Sequence, residues 1–194
     1  MRLFITLFFL AGSGVATDTK VPTPKSSVMI MNKCKYPVNV WSVGDKNPSP
    51  STVPPFDGAW TEQCYRKING GGISIKLSQK PFLSDATSLI QLEYTISHNA
   101  LWYDLSYIGA NPESRPFLGH NVSLVPSGKD CPGISCLADE VICLDVYNKP
   151  SDDHATKRCS IGTTLYLNLC GKQDPAVSND ANRLLLPKGN IATH

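Results

Sequence analysis

Apolar and polar residues alternate along several short stretches of the chain, and this period of two predicts β-strands. The predicted strands are Val28–Asn32, Pro37–Val43, Ile73–Ser78, Ile90–Ile96, Leu101–Ser106 and Leu165–Cys170. Ser97 to Ala100 is a short connection between two of these strands and predicts a β-hairpin. A helical period is found only over short stretches, of which Ala138–Val146 is the best. Short strands with such connections predict an all-β fold, a β-sandwich.

The segments between the predicted strands carry turn-forming residues. Asp45–Gly58 is rich in proline and serine, which predicts a surface loop. Gly70–Gly72 leads into the strand that starts at Ile73. A glycine run could cradle a phosphate at the start of a helix, but before a strand it favours a tight turn or a bulge.

The N-terminus has the features of a targeting signal. Arg2 precedes a short apolar run, Leu3–Leu10, and small residues then end at Ala16, which predicts a secretory signal peptide over residues 1–16. The run is far shorter than the roughly 20 apolar residues of a membrane span, so we predict no membrane association. Residues 17–27 are predicted to be a flexible linker, 28–171 one domain and 172–194 a C-terminal extension. The protein is therefore expected to be secreted and to be extracellular or associated with a cell wall.

The charge of the chain narrows the classes of partner. The formal net charge is +2, and a nearly neutral surface argues against nucleic acid as a partner. We expect a monomer that needs no cofactor. Asn121-Val122-Ser123 is an acceptor sequence for N-glycosylation, which predicts a glycan on Asn121.

Five of the seven cysteines fall between Cys131 and Cys170. Their spacing lacks the paired C-x-x-C motifs typical of zinc sites, so we predict no metal. Disulfides are the better interpretation for a secreted chain. Six cysteines allow fifteen pairings, and the odd count leaves one thiol over.

Three groups of residues, in this order and spacing, resemble the thaumatin-like proteins, in particular the small fungal secreted members described as antigenic or yeast-phase-specific. The groups are Asn32-Lys33-Cys34 with Pro37–Trp41, Leu92–Ile96 followed by Tyr103–Ser106, and Cys131-x4-Cys136 with Cys143–Tyr147, Cys159 and Cys170. The resemblance implies a thaumatin-like β-sandwich with a small disulfide-rich lobe. It also implies three disulfides and one free thiol, which are Cys34–Cys170, Cys131–Cys159, Cys136–Cys143 and the thiol of Cys64.

The same resemblance implies a site. Members of the family carry an acidic cleft, described by an Arg, a Glu and three Asp and linked with β-1,3-glucan. Glu93 matches the Glu, Asp104 matches the first Asp, and either Asp152 or Asp153 is similar in position to the last Asp. No Arg stands at the matching place before Glu93, and no Asp follows Ser106 where the pattern requires one.

The residue types at this site suit a sugar ligand. A carboxylate accepts two or more hydrogen bonds from hydroxyl groups, and charged acceptors form the stronger ones. Trp102 and Tyr103 could offer flat faces for stacking, but they are successive residues of one strand, so only one of them can face the cleft. The alternative is that Glu93 and Asp104 simply face solvent or accept bonds from buried backbone donors.

These observations predict a protein that binds β-1,3-glucan or another cell-wall polysaccharide through the acidic cleft, without efficient catalysis. A weak endo-β-1,3-glucanase, with Glu93 and Asp104 as its two carboxyl groups, is the first alternative. The second alternative is an effector or protease inhibitor that meets a host protein through exposed loops such as Asp45–Gly58.

Overall fold

The computed structural model of the chain describes residues 25–45, 49–83, 88–110 and 115–171. These residues form eleven strands and one short 3₁₀ helix, Asp153–Ala155. The strands are β1 Ser27–Asn32, β2 Val38–Val43, β3 Ser51–Val53, β4 Gly58–Gln63, β5 Ile73–Ser78, β6 Ile90–Ser97, β7 Ala100–Ser106, β8 Val122–Pro126, β9 Ile134–Cys136, β10 Lys157–Ser160 and β11 Thr164–Leu169. The predicted signal peptide, the predicted C-terminal extension and most of the predicted linker lie outside the described residues. Within the described ranges, no helix is long and apolar enough to cross a membrane.

The strands form two sheets, so the predicted β-sandwich is confirmed. The five-stranded sheet has the order β4-β1-β11-β8-β9, and the six-stranded sheet has the order β10-β7-β6-β5-β2-β3. β1 and β11 pair in parallel, while the other paired strands are antiparallel. The predicted hairpin is the β6–β7 pair in the middle of the larger sheet.

Alternation along the strands places the core. Ile90, Leu92 and Tyr94 of β6 and Leu101, Tyr103 and Leu105 of β7 are fully buried, while the residues between them are partly buried or exposed. The largest fully buried side chains are Ile30, Ile73, Ile75, Leu77, Ile90, Leu92, Tyr94, Leu101, Tyr103, Leu105, Leu124 and Ile134. Since burial of one such aliphatic side chain is worth about 1.5–3 kcal/mol, this core accounts for most of the driving force for folding.

One buried polar residue, Asn32 at the end of β1, organises the adjoining loops. Its Nδ2 donates to the carbonyl oxygens of Tyr36, Val53 and Pro54 at 2.9–3.1 Å, and its Oδ1 accepts a bond from the Cys34 backbone N–H at 3.0 Å. The side chain is fully buried. It therefore links the end of β1 to the end of β3 with its hydrogen-bonding groups satisfied.

Three disulfides lock the fold in the pairing that the resemblance implies: Cys34–Cys170, Cys131–Cys159 and Cys136–Cys143. The first joins the segments that follow β1 and β11, which is possible because parallel neighbouring strands end at the same edge of the sheet. Disulfides of this kind are typical of proteins that fold in an oxidising compartment.

Cys64, at the end of β4, is buried and makes no disulfide. Burial raises the pKa of its thiol to about 12, and the nearby Glu62 carboxylate adds to this increase. The thiol is therefore protonated at neutral pH and unreactive.

The structure departs from the sequence predictions in the shorter elements. The predicted loop Asp45–Gly58 contains β3 and the first residue of β4, and β3, β4, β8, β9 and β10 were not predicted. The predicted short helix at Ala138–Val146 is wrong, because this segment forms turns. Within it the Ala138 backbone N–H donates to Asn121 Oδ1, and the Glu140 backbone N–H donates to the Leu137 carbonyl oxygen in a turn.

Candidate functional site

Glu93 and Asp104 lie directly opposite each other on β6 and β7. On the other side of Glu93, Ser74 of β5 occupies the same row of the sheet. Directly paired residues of antiparallel strands project from the same face, with Cβ atoms about 4.5–5.5 Å apart. The two carboxyl groups therefore stand side by side on the outer face of the six-stranded sheet, away from the core.

The surroundings of the two carboxyl groups differ. Burial, and then the Glu93 carboxylate, raises the pKa of Asp104 to about 7. Burial also raises the pKa of Glu93, but the neighbouring Ser74 hydroxyl and Lys76 ammonium offset part of that increase. Asp104 is therefore protonated under mildly acidic conditions, because burial and the neighbouring carboxylate both disfavour its charged form.

Asp104 also has an oxygen atom without a hydrogen-bond donor. Its Oδ1 is buried, and among the described residues it has no hydrogen-bond partner. A buried acceptor without a partner costs about 1–3 kcal/mol, so each such atom calls for an explanation. A ligand that donates a hydrogen bond to Asp104 would remove this cost.

One end of the outer face is closed by the chain itself. Gln91 on β6 accepts a bond from Ser74 Oγ at 3.0 Å and donates to the Ile108 carbonyl oxygen at 3.4 Å. Trp41 of β2 lies opposite Lys76 on this face and is buried. The turn after β7 thus contacts this face at Gln91, two residues before Glu93 on β6.

The other end of the outer face is open at Trp102. This residue lies two positions before Asp104 on β7 and is 40% exposed. The Arg158 guanidinium of β10 lies over the Trp102 ring at 5.6 Å from its centroid. An exposed ring beside two carboxyl groups can stack against the flat face of a sugar while the carboxyl groups bond to its hydroxyls.

Tyr103 does not belong to this face, which corrects its selection as a ligand-binding candidate. The side chain points into the core, is 1% exposed and donates a hydrogen bond to the Pro132 carbonyl oxygen. The reason is the alternation of side chains along β7, which directs successive residues to opposite faces. Of the two aromatic candidates, only Trp102 faces the carboxyl pair.

The two aspartates predicted from the Cys143–Cys159 loop have local roles in the structure. Asp152 is buried, and its Oδ2 accepts bonds from the Asn148 and Lys149 backbone N–H groups at 3.0 and 3.1 Å. These bonds lower the pKa of its carboxyl against the opposing effect of burial. Asp152 is therefore used to hold its own loop, which corrects its selection as a ligand contact.

Asp153 is the exposed member of the pair and begins the 3₁₀ helix. Its Oδ1 accepts a bond from the Tyr147 hydroxyl at 3.4 Å. Tyr147 forms a bridge with Ser106 at the end of β7, so this loop flanks the strand that carries Asp104. Asp153 is the aspartate of the two that is free to meet a ligand near this edge.

Sequence reasoning missed several polar residues of the outer face. Ser74 and Lys76 alternate with the buried residues of β5, so the alternation already contained the signal for their position. Lys76 supplies a cation next to Glu93. Arg158 gave no usable signal, because β10 was not predicted.

Asn121, the predicted glycosylation site, lies just before β8. Its Oδ1 accepts a bond from the Ala138 N–H at 2.8 Å, and its Nδ2 donates to the Gly171 carbonyl oxygen at 3.3 Å. The side chain thus joins the disulfide-rich lobe, which is the segment Cys131–Cys159, to the end of the domain, and a glycan on this nitrogen stays a prediction.

The two-sheet sandwich with its disulfide-rich lobe is the architecture of a thaumatin-like protein. The model of the Blastomyces yeast-phase-specific protein family, Bys1, matches residues 21–171. The chain belongs to this family. An antigenic thaumatin-like protein of Arthroderma benhamiae is 37% identical over 142 residues, which cover 73% of this chain and 69% of that protein.

Two solved structures are similar to this chain to different degrees. The protein elicitor MoHrip2 from Magnaporthe oryzae superposes with a TM-score of 0.60 at 21% identity, covering 75% of this chain and 99% of that protein. The thaumatin-like xylanase inhibitor TLXI matches with a TM-score of 0.45 at 14% identity, covering 74% of this chain and 99% of that protein. The likeness to MoHrip2 shows a common fold.

Proposed function

We propose that this protein is secreted and binds β-1,3-glucan or a related cell-wall polysaccharide on the outer face of its six-stranded sheet, without efficient hydrolysis. The observation that carries the proposal is the side-by-side placement of Glu93 and Asp104 next to the exposed ring of Trp102. Oδ1 of Asp104, buried and without a partner among the described residues, is the acceptor that a sugar hydroxyl would satisfy.

The chemistry of the face matches a polyhydroxylated ligand. Glu93 offers carboxylate acceptors, while protonated Asp104 offers one donor and one acceptor. Lys76 and Arg158 add donors on either side of the pair. Sugar hydroxyls act as donors and acceptors alike, so a face with both kinds of group can bond to them on several sides.

The same geometry favours binding over turnover. In a glycosidase two carboxyl groups flank the scissile bond, one on each side. Glu93 and Asp104 project from one sheet face and would approach a ligand from the same side. This arrangement supports hydrogen bonding to the sugar better than attack on its anomeric carbon.

The direct test is retention on insoluble β-1,3-glucan. We expect the purified protein to be retained, and the double variant Glu93→Gln, Asp104→Asn to lose about tenfold in affinity, because the charged acceptor of Glu93 is replaced by a neutral amide and the hydroxyl donor of Asp104 is removed. Asp139→Asn is the matched control, since it removes an exposed carboxylate of the lobe. Equal retention of the double variant and the native protein would overturn the proposal.

Hydrolysis is the second candidate, favoured by one observation. Burial raises the pKa of Asp104 to about 7, and a carboxyl group with a raised pKa next to a second carboxyl group is what a glycosidase uses as its acid. Release of reducing ends from laminarin that disappears in Glu93→Gln and Asp104→Asn would support it. No release at high protein concentration would leave binding as the function.

Binding of a host protein is the alternative function that the same experiments can reveal. It would be supported if the protein were retained on no polysaccharide but were co-purified with one defined protein from host fluid. The amount of that host protein that co-purifies should then be the same for the native protein and for the Glu93→Gln, Asp104→Asn variant.

A further inference from the structure

A polar groove of about 360 Å³ lies beyond Arg158, at the edge of the six-stranded sheet. It is bordered by the turn between β6 and β7, by the edge strand β10 and by the loop after β8. The polar side chains that line it are Asn99, Lys129, Asp130, Arg158 and Ser160. Its volume is within the range of about 300–1,000 Å³ that small-molecule sites have.

The floor of the groove is fixed by a disulfide. Cys131 and Cys159 both line it, and their bond holds the loop after β8 against β10. Gly128 packs so closely on this bond that a Cβ there would lie 2.3 Å from Cys131 Sγ. Only glycine fits at this point, so the shape of the groove is set by the covalent frame.

Arg158 connects the groove to the carboxyl pair. It lines the groove and also lies over the Trp102 ring, two residues from Asp104 on β7. Arg158 pairs with Trp102 on the neighbouring strand. With about 3.4 Å between residues along a strand and about 4.8 Å between strands, the Cα atoms of Asp104 and Arg158 are about 8 Å apart. The groove and the carboxyl pair are thus parts of one continuous surface.

The charge of this surface changes sign along its length. Glu93 and Asp104 make one end acidic, whereas Arg158 and Lys129 outnumber Asp130 at the other end. A uniformly anionic polymer would be repelled by the carboxyl pair, and a uniformly cationic one by the groove. An uncharged polyhydroxylated chain can use both ends, because its hydroxyls bond to carboxylates, ammonium groups and guanidinium groups alike.

We propose that the binding face continues over Trp102 and Arg158 into this groove, so that the ligand is an uncharged polysaccharide segment long enough to occupy both ends. The inference rests on the proposed function, since it extends the same face. It assigns Lys129, Asp130 and Asn99 to a second subsite and makes chain length part of the specificity.

Titration with neutral β-1,3-linked oligosaccharides of increasing length tests the second subsite. We expect affinity to rise with length until the ligand spans both ends. The double variant Lys129→Ala, Asp130→Ala keeps the net charge and should lose about five- to tenfold for the longest ligand but nothing for the shortest. Lys35→Ala, Asp139→Ala is the matched control, because both residues are exposed and lie outside the groove lining.

The outcomes separate the two proposals. If the groove variant binds long ligands as the native protein does while Glu93→Gln, Asp104→Asn does not, the second subsite is wrong and the proposed function stands. If Glu93→Gln, Asp104→Asn also binds normally, the proposed function fails. Retention on chitosan or polygalacturonate equal to that on neutral glucan would overturn the charge argument.

Discussion

The two faces of the β6–β7 hairpin share one backbone. They differ in whether packing and hydrogen bonds offset the cost of burying their polar groups. On the inner face Leu92 and Leu105 are completely buried against the core, and the Tyr94 hydroxyl bonds to Glu62 at 2.8 Å. On the outer face Glu93 and Asp104 are partly buried next to each other, and the pKa of both is raised. The inner face explains why the hairpin folds, whereas the outer face carries a cost that folding alone does not explain.

The largest expected effect is a difference in stability between a substitution on the inner face and one on the outer face. Leu92→Ala should lower the free energy of unfolding by about 3 kcal/mol, because it opens a cavity among fully buried neighbours. Thr95→Ala, on the outer face of the same strand, should change it by less than about 0.5 kcal/mol. Urea unfolding midpoints of the two variants measure this. Equal losses would mean that the outer face is as important for folding as the core.

Asp104 should make the stability of the native protein depend on pH in a defined way, and Asp104→Asn should remove this dependence. Because burial raises the pKa of Asp104 to about 7, the stability associated with its neutral form is complete below about pH 4 and is lost as the pH rises through 7. The asparagine variant does not undergo this loss. It should equal the native protein at pH 4 and exceed it by about 2 kcal/mol at pH 8, a figure reduced for partial exposure.

Urea unfolding of both proteins across this pH range checks the prediction. Asp139→Asn, on the exposed part of the lobe, is the control and should differ from the native protein by a small amount that does not vary with pH. A difference for Asp104→Asn that stayed constant from pH 4 to pH 8 would assign the effect to packing instead of ionisation.

The hairpin also shows how much the sequence alone could predict. Alternation in Ile90–Ile96 and Leu101–Ser106, with a short connection, was sufficient to place these strands, and the structure has them at Ile90–Ser97 and Ala100–Ser106. Once the turn is His98-Asn99, the register pairs Glu93 with Asp104, so their common face follows from local information. This part of the site required no knowledge of distant contacts.

Other elements depend on contacts that no local pattern contains. β3 and β9 have three residues each, too few for a period of two to be visible. β10 has one buried residue, Cys159, and its pairing with β7 depends on a partner more than fifty positions away in the chain. Arg158 therefore could not be placed beside Trp102, and the raised pKa of Asp104, which is a property of burial, could not be predicted either.

Trp102→Ala should separate binding from folding. The ring is 40% exposed, so its loss should cost less than about 1 kcal/mol of stability, including the contact with Arg158. Retention on β-1,3-glucan should fall about five- to tenfold because the stacking surface is removed. Tyr166→Ala, an exposed aromatic residue of β11 in the other sheet, is the matched control. Unchanged retention would remove Trp102 from the binding face.

The smallest expected effect is a change in stability from a substitution in the β6–β7 turn, which sets the register and therefore the face on which each residue lies. His98 has φ +52°, a backbone conformation that glycine adopts without the Cβ penalty. His98→Gly should therefore stabilise the protein by about 0.5 kcal/mol, after the greater flexibility of glycine in the unfolded chain is included. The hydrogen bond from the Arg66 guanidinium to the His98 carbonyl oxygen involves the backbone and is retained.

His98→Ala is the matched control for this prediction, because it removes the imidazole ring but keeps a Cβ at the same φ, and it should give no gain in the unfolding midpoint. A shift of one residue in the pairing would exchange the two faces of β7 and bury Asp104 in the core. A turn that is less strained favours the native register, so glucan retention should be unchanged in His98→Gly while stability rises. Destabilisation by glycine would instead show that the bond of 3.1 Å between Ser97 Oγ and His98 Nδ1 outweighs the backbone strain.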